Sequence, residues 1–317
     1  MKTVTIILPA YNESASFGYL KECMDFLQKE NTSYDWEFLL INDGSSDDTL
    51  MRMIELHMMD PKHYSYINLS RNYGKEIAMM AGFDYAKGDA VIIMDTDMQH
   101  PVSVVSEMLP YWEEGYDDVY ARRKSSKESF FKKKTSQMYY KLLAKVSDIP
   151  IQKDSGDFWL LDRRCVEALK QMREIERNTK GLYSWIGFKK IGIEYDQLER
   201  REGKSKWSFW KLMELAINGL TSYTTAPLRM STIFGFIVSA LAFVYLIYLV
   251  CRTCVYGDPV VGFPTIMVTI LFLGGIQLIS LGIIGEYLGR VFSESKRRPG
   301  YFVESYKGIR ENTRDGK

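Results

Sequence analysis

Two carboxylates stand two residues apart directly after an apolar stretch. Residues 91–94 read Val-Ile-Ile-Met, and Asp95, Asp97 and Pro101 follow within the sequence Asp-Thr-Asp-Met-Gln-His-Pro. Four apolar residues in a row are typical of a buried parallel strand, and positions i and i+2 at a strand end point to the same side. Asp95 and Asp97 can therefore converge on one hard cation such as Mg²⁺, which proteins bind through one or two carboxylates together with substrate phosphates. From the spacing alone, an acidic loop that caps the next helix explains the residues equally well, with Pro101 at the first helical position.

The elements that must position these carboxylates alternate between strands and helices. Strand-like runs at 3–10, 37–41, 64–69 and 91–94 are separated by helical stretches. This order predicts an α/β fold with a parallel sheet and right-handed crossovers. The carboxyl ends of such strands share one edge, where open sheets bind their ligands, so we expect one cleft there. The polar side chains that follow the strands are Glu13, Asp43, Arg71, Lys75, Asp95 and Asp97.

Two further polar segments are candidates for functional roles, and the first could form the opposite wall of this cleft. Asp157 stands between a glycine and a short apolar strand, where it either faces the cleft or caps a turn. Four cations surround Gly203 and suit a flexible anion-binding loop, although a solvated run of charge is the interpretation that composition alone favours. These cations are Arg200, Arg201, Lys204 and Lys206.

Composition excludes several functional classes. The chain has 317 residues, enough for about two structural units, and a formal net charge of +1, which gives no overall field for nucleic acid. Cys251 and Cys254 form a single C-x-x-C without a second pair or a nearby histidine, so reduced thiols are expected rather than a zinc site. No G-x-G-x-x-G opens the first helix, which argues against a dinucleotide cofactor. The first residues lack the features of a signal peptide.

The C-terminal third is apolar enough to enter a membrane. Residues 232–251 carry no charge over a length that crosses a bilayer core, and 263–284 form a second such run. Two buried core helices are disfavoured, because the runs are long and the preceding part has its own core. The segment 207–230 is amphipathic, and 127–146 form a basic amphipathic stretch that suits either a membrane surface or a helix packed on the sheet. Basic residues precede the first run and follow the second, so the positive-inside rule places both termini in the cytoplasm.

Several short motifs, in a fixed order and followed by two apolar spans, carry a resemblance to a known family. The chain resembles membrane-anchored family-2 glycosyltransferases of the polyprenyl-phosphate type, and it is similar to bacterial GtrB-like and dolichol-phosphate-mannose-synthase-like enzymes. The resemblance covers nearly the whole chain. The motifs are Ile7-Leu8-Pro9-Ala10-Tyr11-Asn12-Glu13, Ile41-Asn42-Asp43-Gly44-Ser45, Leu69-Ser70-Arg71-Asn72-Tyr73-Gly74-Lys75-Glu76, Asp95-Thr96-Asp97-Met98-Gln99-His100-Pro101, Gly156-Asp157-Phe158, Gly203-Lys204-Ser205-Lys206-Trp207 and Gly285-Glu286-Tyr287-Leu288-Gly289-Arg290.

The resemblance implies a GT-A fold, which is a Rossmann-like α/β nucleotide-sugar domain with a mostly parallel sheet. This cytoplasmic domain would occupy 1–206, followed by an interfacial amphipathic helix at 207–230. Two transmembrane helices would lie within 231–290, and 291–317 would form a cytoplasmic basic tail. The glycine-rich second span and the family also imply a homo-oligomer, for which a tetramer is one candidate.

The resemblance assigns roles by position in the sequence. Asp95 and Asp97 would hold Mg²⁺ or Mn²⁺ beside the donor diphosphate, and Asp97 and Asp157 are the predicted catalytic residues. Asp157 would orient the acceptor or the sugar, with a general base as the second choice, and no role falls to His100. The predicted nucleotide-sugar site consists of Pro9, Tyr11, Glu13, Asp43, Lys75, Asp95, Thr96, Asp97 and Gln99, and the predicted acceptor-phosphate site of Arg200, Arg201, Lys204 and Lys206.

The implied reaction is inverting transfer of a sugar from a UDP-sugar to undecaprenyl phosphate or another polyprenyl phosphate. The sugar is of the glucose or N-acetylhexosamine type, and the lipid product would serve modification of a cell-envelope glycan. One alternative is a processive family-2 polysaccharide synthase, which generally needs more membrane spans than the two visible here. Another is a catalytically silent membrane scaffold that binds a nucleotide sugar or a partner, against which the intact carboxylates and basic loop argue.

Overall fold

A computed structural model of the chain describes residues 1–96, 100–123, 155–175, 177–196, 226–256 and 262–309. Two compact units are present, one built on a large sheet and one built on two long helices. The described residues 298–309, which follow the second long helix, belong to the sheet unit.

The sheet unit alternates strands and helices as the sequence predicts. A single 3₁₀ turn, Ser14–Ser16, follows the first strand and precedes the first helix. The strands are β1 (Lys2–Ala10), β2 (Tyr34–Asn42), β3 (Tyr64–Leu69), β4 (Ala90–Ile93), β5 (Asp118–Arg123), β6 (Ser155–Asp162), β7 (Lys190–Tyr195) and β8 (Val303–Lys307). The helices are α1 (Phe17–Glu30), α2 (Thr49–Met59), α3 (Lys75–Tyr85), α4 (Ser103–Glu113), α5 (Arg163–Gln171) and α6 (Thr179–Trp185).

Eight strands form one sheet in the order β7-β5-β6-β4-β1-β2-β3-β8. Strands β1 to β4 run parallel, and Ile7 of β1 pairs with Leu39 on one side and Ile93 on the other. Strand β6 runs antiparallel between β4 and β5, and β8 runs antiparallel along β3. The predicted mostly parallel α/β sheet is therefore confirmed.

Strand β1 is the point at which the order of the sheet reverses. Strands β2 and β3 extend the sheet on one side of β1, whereas β4 joins it on the other side. In open α/β sheets a crevice forms at such a switch point, outside the carboxyl ends of the strands. The turns after β1 and β4 therefore border the place where a ligand is expected.

The sheet is buried on both faces, which explains why its central strands read as continuous apolar runs. Ile6 and Leu8 point into one cluster of buried residues, and Ile7 points into the other. Helix α3 packs closely on the second face at Gly82, where an added Cβ would lie 2.6 Å from Ile7 Cγ2. This close packing fixes the helix whose first residue is Lys75.

Three features of the fold differ from the sequence-based expectations or extend them. Helix α4 begins at Ser103, so Pro101 lies two residues before the helix and not at its first position. Strand β8 was not predicted, because 291–317 read as a basic tail. The predicted interfacial segment at 127–146 lies outside the described residues, and of the one predicted at 207–230 only 226–230 are described, as the start of the first long helix.

The second unit consists of α7 (Ala226–Tyr256) and α8 (Phe263–Ser295). The hydroxyls of Ser231 and Ser280 lie 2.8 Å apart and join the two helices. Many large apolar side chains on both helices are exposed, as expected for a surface covered by lipid. Phe272–Ser295 is long and apolar enough to cross a membrane by length and composition, and Met230–Tyr245 is a shorter apolar segment.

Candidate active site

The turn after β2 carries Asp43 and is built around Gly44. Gly44 has a φ of +63°, and an added Cβ would lie 2.3 Å from the carbonyl carbon of Arg71. Only glycine therefore allows this turn to pack directly against the turn that follows β3. The Asn42 side-chain oxygen accepts a hydrogen bond from the Ser45 amide at 3.2 Å and closes the turn.

Asp43 joins the turns that follow β2 and β3. Its carboxylate accepts the backbone amides of Tyr73 at 2.7 Å and Gly74 at 2.9 Å, and the residue is only 3% exposed. Burial raises the pKa of Asp43, while the two amides and the nearby Arg71 act in the opposite direction. The backbone donors hold this carboxylate in one orientation at the start of α3.

The turn after β1 is tied to the turn after β2 by side-chain bonds to backbone. Asn12 has a φ of +55°, and its side-chain oxygen accepts the Ser46 amide at 2.8 Å. The Glu13 amide donates to the Thr49 hydroxyl at 2.9 Å. Tyr11 stays 48% exposed between these contacts. An aromatic ring is therefore available to a ligand on a rigidly held turn.

The turn after β4 places Asp95 and Thr96 beside the end of β1. The Thr96 hydroxyl donates to the Pro9 carbonyl at 3.4 Å, and Asp95 forms an ion pair with Lys75, the first residue of α3. The Asp95 and Lys75 side chains remain 28% and 37% exposed. One carboxylate and one ammonium group are thus accessible at the switch point between β1 and β4.

His100, which received no role on sequence grounds, is a buried link between three segments. Its Nδ1 lies 2.7 Å from the Tyr195 hydroxyl at the end of β7, and its ring packs 5.0 Å from the Phe158 ring of β6. The residue is 2% exposed. No local signal could have revealed this link, because Tyr195 is 95 residues further along the chain. His100 therefore holds the end of the acidic loop against the strand that contains Asp157.

The structure brings most of the described site residues to one edge of the sheet. Because β6 runs antiparallel to β4, its first residues, Asp157 among them, also lie at this edge. Asp97, Gln99, Arg200, Arg201, Lys204 and Lys206 lie outside the described residues, and their roles stay predictions. The predicted residues that gather at the carboxyl edge are Pro9, Tyr11, Glu13, Asp43, Lys75, Asp95 and Thr96.

Comparison with known proteins gives a consistent result over nearly the whole chain. Residues 5–170 match Glycosyl transferase family 2, and residues 226–291 match the GtrB C-terminal hairpin. An uncharacterized glycosyltransferase of Synechocystis is 42% identical over 96% of both chains. A protein of Shigella phage SfV named bactoprenol glucosyl transferase is 40% identical over 96% of this chain and 99% of its own.

A solved glucosyl-3-phosphoglycerate synthase from Mycobacterium tuberculosis is a distant structural neighbour. It shares 19% identity and a TM-score of 0.46, over 70% of this chain and 79% of its own. This likeness is too low to carry an inference about ligands.

The sheet, its switch-point site and the matched sequence families define the class of protein. It is a glycosyltransferase with a GT-A fold. More specifically, the chain belongs to glycosyl transferase family 2 and carries the GtrB C-terminal hairpin, which together with the apolar helix α8 indicates association with a membrane.

Proposed function

We propose that this protein transfers glucose from UDP-glucose to a polyprenyl phosphate, with undecaprenyl phosphate as the first acceptor to test. The near full-length similarity to a bactoprenol glucosyl transferase carries this proposal. An N-acetylhexosamine donor is the second candidate. The two sugars differ by one acetamido group, which a pocket distinguishes by a single contact.

The donor nucleotide binds across the turns that follow β1 and β2. Tyr11 supplies an exposed aromatic face for the base, and Asp43 supplies a carboxylate that two backbone amides hold in place. Pro9 and Glu13 complete the pocket. Because the amides fix Asp43 before any ligand arrives, binding does not have to order this side chain.

The donor diphosphate lies beside Lys75 and Asp95. Asp95 and Asp97 would hold Mg²⁺ or Mn²⁺, since hard cations prefer carboxylate oxygens together with substrate phosphates. Within the described residues, which exclude Asp97, no group of three or more metal-binding side chains occurs. Asp95 is accessible at the sheet edge and fits the part of a single carboxylate ligand. When bound, such an ion neutralises charge on the diphosphate.

The reaction is a single displacement that inverts the sugar. An oxygen of the lipid phosphate forms a bond to the anomeric carbon, while the bond from that carbon to the diphosphate breaks and UDP leaves with the electron pair. The second pKa of a phosphate monoester is about 6, so the nucleophile is largely ionised at neutral pH. Asp157 therefore serves to orient the acceptor or the sugar rather than to remove a proton.

Cations near the acceptor counter the repulsion between two anions. Arg200, Arg201, Lys204 and Lys206 form the binding loop for the lipid phosphate, while Lys75 stays with the donor. The helical hairpin spans the membrane twice with both termini in the cytoplasm, so enzyme and lipid acceptor share one membrane, which favours their encounter. The protein works as a homo-oligomer.

A direct assay uses the detergent-purified full chain with undecaprenyl phosphate, Mn²⁺ and a panel of UDP-sugars. The expected result is one lipid product that carries a single hexose on phosphate, read by mass spectrometry and abolished by a chelator. A product that carries several sugars would favour the processive synthase. Donor binding without any lipid product would favour the silent scaffold.

A further inference from the structure

The C-terminal segment returns to the sheet and lies against the strand next to the donor site. Strand β8 pairs antiparallel with β3, and the Phe302 carbonyl accepts the Ser70 amide at 3.0 Å. The Tyr301 hydroxyl donates to Asp84 of α3 at 2.7 Å. These contacts anchor a segment that follows the membrane hairpin in the sequence.

A chain of hydrogen bonds runs from this segment to the turn that carries Asp43. The Glu304 carboxylate accepts the side-chain amide of Asn68 at 2.8 Å, and the Asn68 oxygen accepts the side-chain amide of Asn42 at 2.7 Å. The Asn42 oxygen in turn accepts the backbone amide of Ser45. Asn42 and Asn68 are directly paired in the sheet and are 2% and 6% exposed.

The two ends of this series of hydrogen bonds, Glu304 and the Ser45 amide, fix the orientation of both asparagines. A carboxylate can only accept a hydrogen bond, and a backbone amide can only donate one, whereas a side-chain amide can do either by rotating. With Glu304 in place, only one orientation of Asn68 and Asn42 satisfies every bond. Without Glu304, the Asn42 side-chain amide alone holds the orientation of Asn68, so the chain of hydrogen bonds loses one of the two groups that fix it.

We propose that Glu304 is a positioning residue for the donor nucleotide, acting through Asn68 and Asn42 on the turn that carries Asp43. The role in donor binding rests on the proposed function, whereas the effect on the turn does not. Glu304 is exposed on the C-terminal segment and far from Asp43 in the sequence, so its influence is carried by the two buried asparagines. The segment after the membrane hairpin thereby becomes part of the donor site.

Two variants and one control test the proposal on the full chain. Glu304→Ala removes the terminal acceptor, and Glu304→Gln restores an acceptor oxygen at nearly the same place. Tyr301→Phe removes a different hydrogen bond of the same segment and is the matched control, because Asp84 keeps its ion pair with Arg173. Hydrogen exchange of a peptide that covers 40–48 reports on the turn, and calorimetry with UDP and Mn²⁺ reports on donor binding.

For Glu304→Ala we expect exchange of the turn to become about five-fold faster and UDP binding about five-fold weaker. This is about the factor by which the net loss of one hydrogen bond changes an equilibrium constant. Glu304→Gln and Tyr301→Phe should stay within about two-fold of the wild type. Asn68→Ala combined with Glu304→Ala should add nothing to Asn68→Ala alone, since both act through one chain of bonds.

Unchanged exchange in Glu304→Ala, or equal acceleration in Tyr301→Phe, would overturn the link between Glu304 and the turn. Faster exchange with unchanged UDP affinity would overturn its role in donor binding. If the wild type bound no UDP at all, the proposed function would fail, and the exchange data would still decide whether Glu304 holds the turn.

Discussion

Asp43 and Asp118 are both buried acids at the ends of strands, yet they lie at opposite edges of the sheet. Asp43, at the carboxyl edge, accepts two backbone amides. Asp118, at the amino end of β5, is fully buried, and neither of its oxygens has a hydrogen-bond partner among the described residues. Its nearest cation is Lys190, whose Nζ lies 3.5 Å away and also donates to a backbone carbonyl.

The comparison shows that a buried aspartate can have two different consequences, depending on which groups surround its carboxylate. Burial raises the pKa of both groups, but only Asp118 reaches a value of about 7, with Lys190 lowering it and Asp117 raising it. At Asp43, backbone donors keep a buried carboxylate fixed at the edge where ligands bind. At Asp118, burial is offset by the Lys190 ammonium at 3.5 Å and by no backbone amide, so the charge is a cost to stability near neutral pH. Function is therefore expected at one edge and pH-dependent stability at the other.

The largest effect is expected for Asp95→Asn at the carboxyl edge. The change keeps the shape of the side chain but removes the charge that faces Lys75 and the proposed metal ion. We expect kcat to fall by a factor of about 100 to 1,000, as loss of one charge-stabilising group typically does. Product formation is measured by mass spectrometry, with the thermal midpoint as a check on folding. Turnover within a few fold of the wild type would remove Asp95 from the site.

A smaller effect is expected for Asp43→Asn. An amide accepts only through its oxygen, so one of the Tyr73 and Gly74 amides keeps a neutral acceptor and the other loses its acceptor. We expect UDP affinity to fall about ten-fold and the free energy of unfolding to fall by about 1–2 kcal/mol. Calorimetry with UDP and chemical denaturation measure the two changes. A variant with reduced stability and unchanged UDP affinity would limit Asp43 to a structural role.

The site residues at the carboxyl edge of the sheet could be predicted from the sequence because the patterns that mark them are local. Long apolar runs end at Asp43 and Asp95, and the alternation of strands and helices places those ends together. Strand β8 was not predicted because Val-Glu-Ser-Tyr-Lys is short and polar. Its contacts with β3 also join distant parts of the sequence, and the side chains of Asn68 and Glu304, which share a hydrogen bond, are 236 positions apart. The burial of Asp118 was not predicted either, because a charged residue after a turn is usually solvated. Contacts between distant segments decide both features.

The smallest effect on activity is expected for Asp118→Asn, whose consequences should be confined to stability. The pKa of about 7 in the folded protein lies above the ordinary carboxyl value of 3.8, so between these pH values the folded chain holds a proton that the unfolded chain has lost. This group therefore makes wild-type stability fall as pH rises from about 4 to about 7, with a slope of up to about 1.4 kcal/mol per pH unit. The variant should lose this part of the slope.

Chemical denaturation at several pH values between 4 and 8 measures this difference, with activity at pH 7 as the internal control. Stability of Asp118→Asn should decline less with pH than that of the wild type, while UDP affinity stays the same. Parallel pH profiles for the two proteins would contradict the assignment. Weakened UDP binding in Asp118→Asn would contradict the inference that only the carboxyl edge of the sheet takes part in donor binding.

The most direct test of the central claim is a hydrogen-exchange map of the wild-type protein with and without UDP and Mn²⁺. We expect slower exchange in peptides that cover 9–13, 42–47 and 71–76, and no change in a peptide that covers 117–122. Binding by calorimetry without protection of 42–47, or with protection confined to 117–122, would contradict a donor site at the carboxyl edge of the sheet.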